Sequence, residues 1–224
     1  MKKPKIFIAC DVSNIKKARQ IIKISQKTKF NFGYKFGLQF LNSKNGRKFV
    51  ASLKNEITFG DYKLADIPNT CASAIKVVRD LKLNYITIHI SSGLKAIKAA
   101  KKVSGSTKLI GVTILTSLDN KSLREIGFDK DVKKLVLRQA KLATKAKLDA
   151  VVCSPQEIKI VRKVFKKEII TPGIRLPGDN MGDQKRIMTP KEAFKNGATS
   201  LVMGRSLIKN NINKNIEKLI EELK

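Results

Sequence analysis

The stretch FGDYKLADIPNT, residues 59–70, brings three charged side chains, Asp61, Lys63 and Asp66, together at the end of an apolar run. Residues two apart in a strand point to the same side, so Asp61 and Lys63 are expected to share one face. Carboxylates beside a lysine keep it charged, and its ammonium group can stabilise a developing negative charge and then protonate it. The spacing therefore predicts a charged catalytic group, with a buried ion pair that only stabilises the fold as the alternative.

Eight apolar, β-rich runs along the chain could position these side chains, and stretches of helical character separate them. Near-continuous apolar strands that alternate with helices are typical of a parallel sheet buried on both faces. No repeat or linker divides the sequence, so residues 1–224 are expected to form one α/β domain, a (β/α)8 TIM barrel, with an open doubly wound sheet as the alternative. The predicted strands are KIFIACD, NFGYKFG, EITFGDYK, NYITIHI, LIGVTILTS, AVVCSP, IITPGIR and TSLVMGRS.

Polar or phosphate-suited groups lie at the C-terminal ends of all eight predicted strands, at the face where barrels of this kind carry their chemistry. Barrel packing needs branched apolar residues, so charges at this rim indicate a function. Two of these groups have a structural alternative, His89 as a hydrogen-bonding partner within the fold and Ser154 as the cap of the next helix. The groups are Asp11, Lys35, Asp61 with Lys63, His89, Thr116, Ser154, Arg175, and Gly204 with Arg205.

Two glycine-containing segments late in the chain suit a phosphate group. Residues 171–190, TPGIRLPGDNMGDQKRIMTP, are too polar for a core, and their glycines and prolines predict a mobile lid over the barrel mouth. The run VMGRS ends the eighth predicted strand, where Gly204 allows close backbone approach and Arg205 supplies a fork of donors. Because the loops after strands seven and eight often bind phosphate in barrels, we predict a phosphate site there.

The overall composition sets broad limits on the function. The formal net charge is +29, but the lysines are spread along the whole chain and there is no Trp. We therefore interpret the charge as a compositional bias and predict no specific nucleic-acid partner. No apolar run is long enough to span a membrane, and the first apolar run is too short for a signal peptide. Three cysteines without paired spacing favour a reducing compartment, so a soluble, cytoplasmic protein is expected.

The stretch FGDYKLADIPNT resembles the signature of the orotidine 5′-phosphate decarboxylase family, an Asp-x-Lys-x-x-Asp-Ile-Pro-Asn-Thr run. The signature together with the Gly-Asp-Gln-x-Arg of residues 182–186 is far more specific than Asp-x-Lys-x-x-Asp alone, which also occurs in related phosphosugar barrels that use Mg²⁺. Gln39, Leu64 and Ala65 depart from residues common in relatives, at positions with no predicted chemistry. The likeness covers nearly the whole chain, through CDVSN, YKFGLQF, IHISSG, VTILTS, VVCSPQE, residues 171–190 and GATSLVMGRS.

The resemblance implies a homodimer that converts orotidine 5′-monophosphate to uridine 5′-monophosphate and CO₂ without a metal or cofactor, in pyrimidine biosynthesis. It implies that Lys63 is the proton donor in an alternating charge array with Asp61, Lys35 and Asp66, and that the partner subunit supplies Asp66 and Thr70. The implied substrate-binding residues are Asp11 and Lys35 for the ribose, Asp61, Lys63 and residues Asp66, Ile67, Pro68, Asn69 and Thr70 around the reacting group, Thr116 for the base, Gln184 for the closed lid, and Arg175, Gly204 and Arg205 for the phosphate.

Two other functions stay open at this point. The first is a phosphosugar decarboxylase or aldolase on the same barrel, in which carboxylates and a substrate phosphate hold Mg²⁺. The second is a basic nucleic-acid-binding protein built on a barrel scaffold, whose affinity for a duplex would depend steeply on salt. A single histidine and the lack of a CxxC motif leave no predicted zinc site.

Overall fold

The computed structural model describes residues 5–179 and 187–224, which form a closed barrel of eight strands in chain order. Each strand pairs in parallel with the next, and β8 closes the barrel against β1. The predicted (β/α)8 barrel is therefore confirmed. The strands are β1 (Ile6–Ala9), β2 (Phe32–Phe36), β3 (Ile57–Leu64), β4 (Tyr85–His89), β5 (Lys108–Val112), β6 (Ala150–Val152), β7 (Glu168–Thr171) and β8 (Ser200–Met203).

Helices connect the strands, and apolar side chains on their inner faces pack against the barrel. No helix in the described ranges is long and apolar enough to cross a membrane. The helices are α1 (Ile15–Gln26), α2 (Leu38–Leu41), α3 (Gly46–Ser52), α4 (Pro68–Val77), α5 (Gly93–Val103), α6 (Asn120–Glu125), α7 (Val132–Lys145), α8 (Ile158–Val164), α9 (Pro190–Lys195), α10 (Arg205–Ile208) and α11 (Ile212–Glu222).

Polar residues determine where several of these helices begin. The side chains of Asn14, Asp131 and Asn211 accept hydrogen bonds from backbone N–H groups in the first turns of α1, α7 and α11. At α9, Thr189 and Glu192 form a reciprocal capping box. Such caps satisfy N–H groups that have no partner within the helix, so they fix the direction in which each helix leaves the preceding loop.

Aromatic side chains fill the interior of the barrel on the N-terminal side of the charged residues. Phe7 meets the rings of Phe59 and Tyr85 edge-on, with ring centroids 5.3 and 5.2 Å apart. All three side chains are buried and belong to a core cluster inside the barrel. We call these three residues the aromatic floor, since each precedes polar residues that lie farther along its strand or in the loop that follows it. The interior is therefore packed below the rim, as expected for a barrel of this size.

Several strands are shorter than predicted from the sequence. β1 ends at Ala9 and β7 at Thr171, so Asp11 and Arg175 lie in the loops that follow. β5 likewise ends before Thr116. Pro172 lacks the N–H group that would continue the ladder beyond β7. The polar rim residues therefore project from the first residues of the loops as well as from the strands.

Candidate active site

Four alternating charges form a continuous row across the C-terminal ends of β1, β2 and β3. The Nζ atom of Lys35 lies 2.9 Å from Asp11 Oδ2 and 3.2 Å from Asp61 Oδ2. The Nζ atom of Lys63 lies 2.7 Å from the same oxygen of Asp61. We call Asp11, Lys35, Asp61 and Lys63 the charge row. Asp61 is its central residue because one carboxylate oxygen serves both lysines.

Burial makes the inner pair of the charge row depend on its partners. Lys35 and Asp61 are each only 7% exposed. Burial alone would raise the pKa of Asp61, but the ammonium groups of Lys35 and Lys63 outweigh it and hold this pKa below its usual value. Burial would likewise lower the pKa of Lys35, and the carboxylates of Asp61 and Asp11 reverse the shift. Both groups are therefore ionised at neutral pH.

Asp11, at the outer end of the row, is held by the backbone as well as by Lys35. Gly37 N–H donates to Asp11 Oδ1 across 3.2 Å. A Cβ atom at Gly37 would lie 2.5 Å from that oxygen, closer than a carbon and an oxygen can approach without movement. A side chain at position 37 would therefore displace the Asp11 carboxylate from this close contact between the loop after β2 and the charge row.

Asp61 and Lys63 meet, but the strand alternation from which we expected this does not continue to Lys63. β3 advances from Gly60 to Leu64 while its neighbour β4 advances only from Ile86 to Ile88, so the pairing register shifts between these points. Lys63 itself has a left-handed backbone, with φ of +49°. The bulge turns the Lys63 side chain back toward Asp61.

Thr87 supports this bulge from β4 and was missed by sequence reasoning. Its Oγ1 accepts a hydrogen bond from Lys63 N at 2.8 Å and donates to Asp61 Oδ1 at 3.1 Å. Side chains alternate between the two faces of a strand, and Tyr85 faces the barrel interior. The signal available in the sequence was that Thr87, two residues later, points the same way.

A cavity of about 390 Å³ opens at the C-terminal face of the barrel. Its polar lining combines the charge row with groups from the later strands, and its apolar wall includes Val112, Ile114, Val152 and Val202. Sequence reasoning missed this wall, because such residues look like ordinary core. The sequence-predicted residues that line the cavity are Asp11, Lys35, Asp61, Lys63, Thr116, Ser154, Arg175, Gly204 and Arg205.

Cationic groups collect at the end of the cavity formed by the loops after β7 and β8. Arg175 is buried, and its backbone N–H donates a hydrogen bond to the backbone carbonyl of Met188. An isolated β-bridge therefore joins the two described ends of the 171–190 segment. Arg175 and Arg205 also line a neighbouring cavity of about 300 Å³, together with Lys209. This end suits an anion. Gln184, predicted for the lid, lies outside the described residues.

The second half of the opening motif lies away from this cavity. Asp66, Ile67, Pro68, Asn69 and Thr70 are all exposed, and none of them lines the cavity. α4 begins at Pro68, and Asp66 Oδ1 accepts a hydrogen bond from Ile67 N at 2.7 Å. The structure thus brings Asp61 and Lys63 into the site of their own chain and leaves residues 66–70 on its surface.

His89 is the last residue of β4, and Ser154 lies in the loop after β6. His89 is half-buried, and burial together with the nearby ammonium group of Lys63 lowers its pKa, so its imidazole is neutral at pH 7. Ser154 Oγ accepts a hydrogen bond from Gln156 N at 3.4 Å and so caps the next turn.

Within residues 5–179 and 187–224, no group of three or more His, Cys, Asp or Glu side chains could hold a metal ion.

Comparison with known proteins identifies relatives over nearly the full chain. The profile of the "Orotidine 5'-phosphate decarboxylase / HUMPS family" matches residues 4–218. Proteins named orotidine 5'-phosphate decarboxylase are 41% identical in Prochlorococcus marinus, over 92% of this chain and 89% of that protein, and 40% identical in Coxiella burnetii, over 91% and 89%.

Solved structures agree. The crystal structure of orotidine 5'-phosphate decarboxylase from Lactobacillus acidophilus has a TM-score of 0.80 at 29% identity, over 98% of this chain and 99% of that one. The enzyme of Methanocaldococcus jannaschii, complexed with the inhibitor BMP, has a TM-score of 0.79 at 21% identity over 98% of each chain, which shows the shared fold. The chain therefore belongs to the orotidine 5′-phosphate decarboxylase / HUMPS family.

Proposed function

We propose that the protein is an orotidine 5′-phosphate decarboxylase, a carboxy-lyase that converts orotidine 5′-monophosphate to uridine 5′-monophosphate and CO₂ in pyrimidine biosynthesis. The observation that carries the proposal is the charge row at the cavity, with Lys63 Nζ 2.7 Å from Asp61 Oδ2. The decarboxylases named above, at about 40% identity, support it.

Lys63 supplies the two things that this reaction needs. When the bond between the pyrimidine ring and the carboxylate breaks, CO₂ leaves and the electron pair stays on the ring carbon, in the ring plane. No adjacent π-system absorbs that charge, so a fixed cation is the means of stabilising it. Lys63 Nζ then donates a proton, a new C–H bond forms, and the neutral amine regains its proton from water.

The charge row holds that cation in place before the substrate arrives. Asp61 Oδ2 accepts from both Lys35 and Lys63, so the two ammonium groups are fixed relative to each other. Opposite charges alternate along the row, which limits the repulsion that two lysines would otherwise exert. Donors oriented in advance need no reorganisation during the reaction, and this is the main source of electrostatic catalysis.

The rest of the cavity accommodates a nucleoside monophosphate. We assign the phosphate to Arg175, Gly204 and Arg205, the base to the apolar wall and Thr116, and the ribose hydroxyls to Asp11 and Lys35. All of these groups line the same cavity, which therefore offers cationic, apolar and charged surfaces to one ligand. Phosphate binding is remote from the reacting carbon, so its energy can be used to stabilise the transition state.

Replacing Arg205 by alanine should raise KM for orotidine 5′-monophosphate and lower kcat/KM by roughly 10- to 100-fold, the range for loss of a charged hydrogen bond. Steady-state kinetics with orotidine, which lacks the phosphate, isolates the cause, because the variant should match wild type on that substrate. Arg138→Ala, on the exposed face of α7, is the matched control and should change neither substrate's kinetics. An equal loss with orotidine would contradict the phosphate assignment.

We further propose that the active form is a homodimer in which each cavity is completed by Asp66 and Thr70 of the other subunit. The exposure of residues 65–70 supports this, since the large apolar side chain of Ile67 is 67% exposed a few residues after the buried Asp61. A two-fold interface places the same segment of each subunit against the other. We also propose a cytoplasmic location, which the free thiols of Cys10 and Cys71 support.

The test is the change in absorbance when purified protein is mixed with orotidine 5′-monophosphate, with and without EDTA. Conversion to uridine 5′-monophosphate that resists EDTA is the expected result. Conversion that EDTA abolishes would contradict metal-free catalysis. Failure of a folded protein to convert this substrate would overturn the proposed function and direct the assay to Mg²⁺-dependent phosphosugar chemistry.

A further inference from the structure

The backbone near the end of β3 departs from regular strand geometry and needs contacts from outside the strand to hold it. β3 uses four residue steps, Gly60 to Leu64, where β4 uses two, Ile86 to Ile88. Within that bulge Lys63 adopts a φ of +49°, a region that residues with a side chain rarely occupy. Such a conformation persists only where the surrounding contacts compensate for it.

One buried hydroxyl contacts both functional residues of the bulge. Thr87 is fully buried on β4, and its Oγ1 accepts from Lys63 N at 2.8 Å. The same oxygen donates to Asp61 Oδ1 at 3.1 Å. A threonine hydroxyl offers one donor and two acceptor sites, so both bonds form at once and run in one direction, from amide to hydroxyl to carboxylate.

The two bonds act on different atoms of the charge row. Thr87 holds Asp61 by Oδ1, which leaves Oδ2 to bridge Lys35 at 3.2 Å and Lys63 at 2.7 Å. It also fixes the backbone from which the Lys63 side chain departs. Without the hydroxyl, the carboxylate can rotate and the left-handed backbone loses its hydrogen-bonding partner, so the Nζ atom of Lys63 loses its defined position.

We propose that Thr87 is a positioning residue for the decarboxylation, holding Asp61 and the Lys63 backbone so that the Lys63 ammonium group is aligned with the reacting carbon. This rests on the proposed function. Thr87 is buried on β4, does not line the cavity and acts through Asp61 and Lys63, so it affects the chemical step more than substrate binding. Misplacement of a catalytic group by about 1 Å can cost on the order of 100-fold in rate.

The test compares Thr87→Val, which keeps the shape but removes the hydroxyl, with Thr87→Ser, which keeps the hydroxyl. We expect Thr87→Val to lower kcat by about 10- to 100-fold with KM and the affinity for uridine 5′-monophosphate changed less than about threefold. Thr87→Ser should retain kcat within about threefold of wild type. If Thr87→Val does not fold, Thr87→Ala against Thr87→Ser gives the same comparison.

Thr58→Val is the matched structural control. Thr58 is also buried, near the start of β3, and its Oγ1 donates to Asn84 Oδ1 away from the charge row. Its loss should lower the melting temperature and leave kcat unchanged. A folded Thr87→Val with wild-type kcat, an equal loss in Thr87→Ser, or an equal loss in Thr58→Val would each overturn the positioning role.

A crystal structure of Thr87→Val gives a result that does not depend on turnover. The expected change is a rotated Asp61 carboxylate and a longer distance between Lys63 Nζ and Asp61 Oδ2 than the 2.7 Å seen here. An unchanged pair would overturn the proposal. Wild-type protein that does not decarboxylate orotidine 5′-monophosphate would overturn the proposed function instead, so the two failures are distinct.

Discussion

Replacing Lys63 by alanine should reduce the turnover of orotidine 5′-monophosphate by at least about 10⁴-fold, because the change removes both the cation and the proton donor. Asp61 stays paired with Lys35 at 3.2 Å, so the variant leaves no unpaired buried charge and should fold. Binding of uridine 5′-monophosphate should stay measurable by calorimetry, since the phosphate end of the cavity is unchanged.

Two controls separate the roles of Lys63. Lys63→Arg keeps a cation but holds its proton too tightly to donate it, and it should also be inactive. Lys141→Ala removes an exposed lysine of α7 and should match wild type, which shows that one charge fewer in a highly basic protein is not the cause. Full activity in Lys63→Ala would remove the mechanism proposed here.

A dimer that combines one Lys63→Ala subunit with one Asp66→Ala subunit should regain activity that both parent homodimers lack. If Asp66 acts across the interface, one of the two sites in this heterodimer has an intact Lys63 and an intact Asp66, and the other has neither. The heterodimer, selected through two different affinity tags, should therefore show about half of the wild-type kcat per dimer.

The matched control is the heterodimer of Lys63→Ala with Asp61→Ala. Asp61 and Lys63 belong to the charge row of one barrel, so this combination breaks both sites and should be inactive. An inactive heterodimer of Lys63→Ala with Asp66→Ala, with both subunits folded, would mean that each barrel uses its own Asp66. That result would contradict shared sites and leave the proposed reaction standing.

The spacing and composition of apolar residues predicted the strands well, because a strand that is buried on both faces consists almost entirely of apolar residues. The run NYITIHI, for example, became β4 (Tyr85–His89). Strand ends were less predictable, and Thr116 lies four residues beyond β5 (Lys108–Val112), since the run LIGVTILTS stays apolar after the ladder stops. Apolar residues that line a cavity have the same composition as residues that fill a core.

The geometry around Lys63 could not be predicted from local pattern. Its left-handed backbone and the register shift between β3 and β4 depend on a hydrogen bond from another strand, 24 residues away at Thr87. The exposure of residues 66–70 is a different case, because in the proposed dimer a second copy of the chain completes the site, and the pattern of one sequence does not contain that contact. The first feature depends on a contact that is distant along the chain, and the second, in the proposed dimer, on a contact with another chain.

The aromatic floor gives the cavity a blind end. Phe7, Phe59 and Tyr85 fill the barrel beneath the charge row, so the substrate enters and both products leave by the same opening. CO₂ formed in such a cavity stays beside the carbon that it has just left. In the mechanism proposed above, its return to that carbon competes with proton transfer, so commitment to product depends on how fast Lys63 protonates the ring.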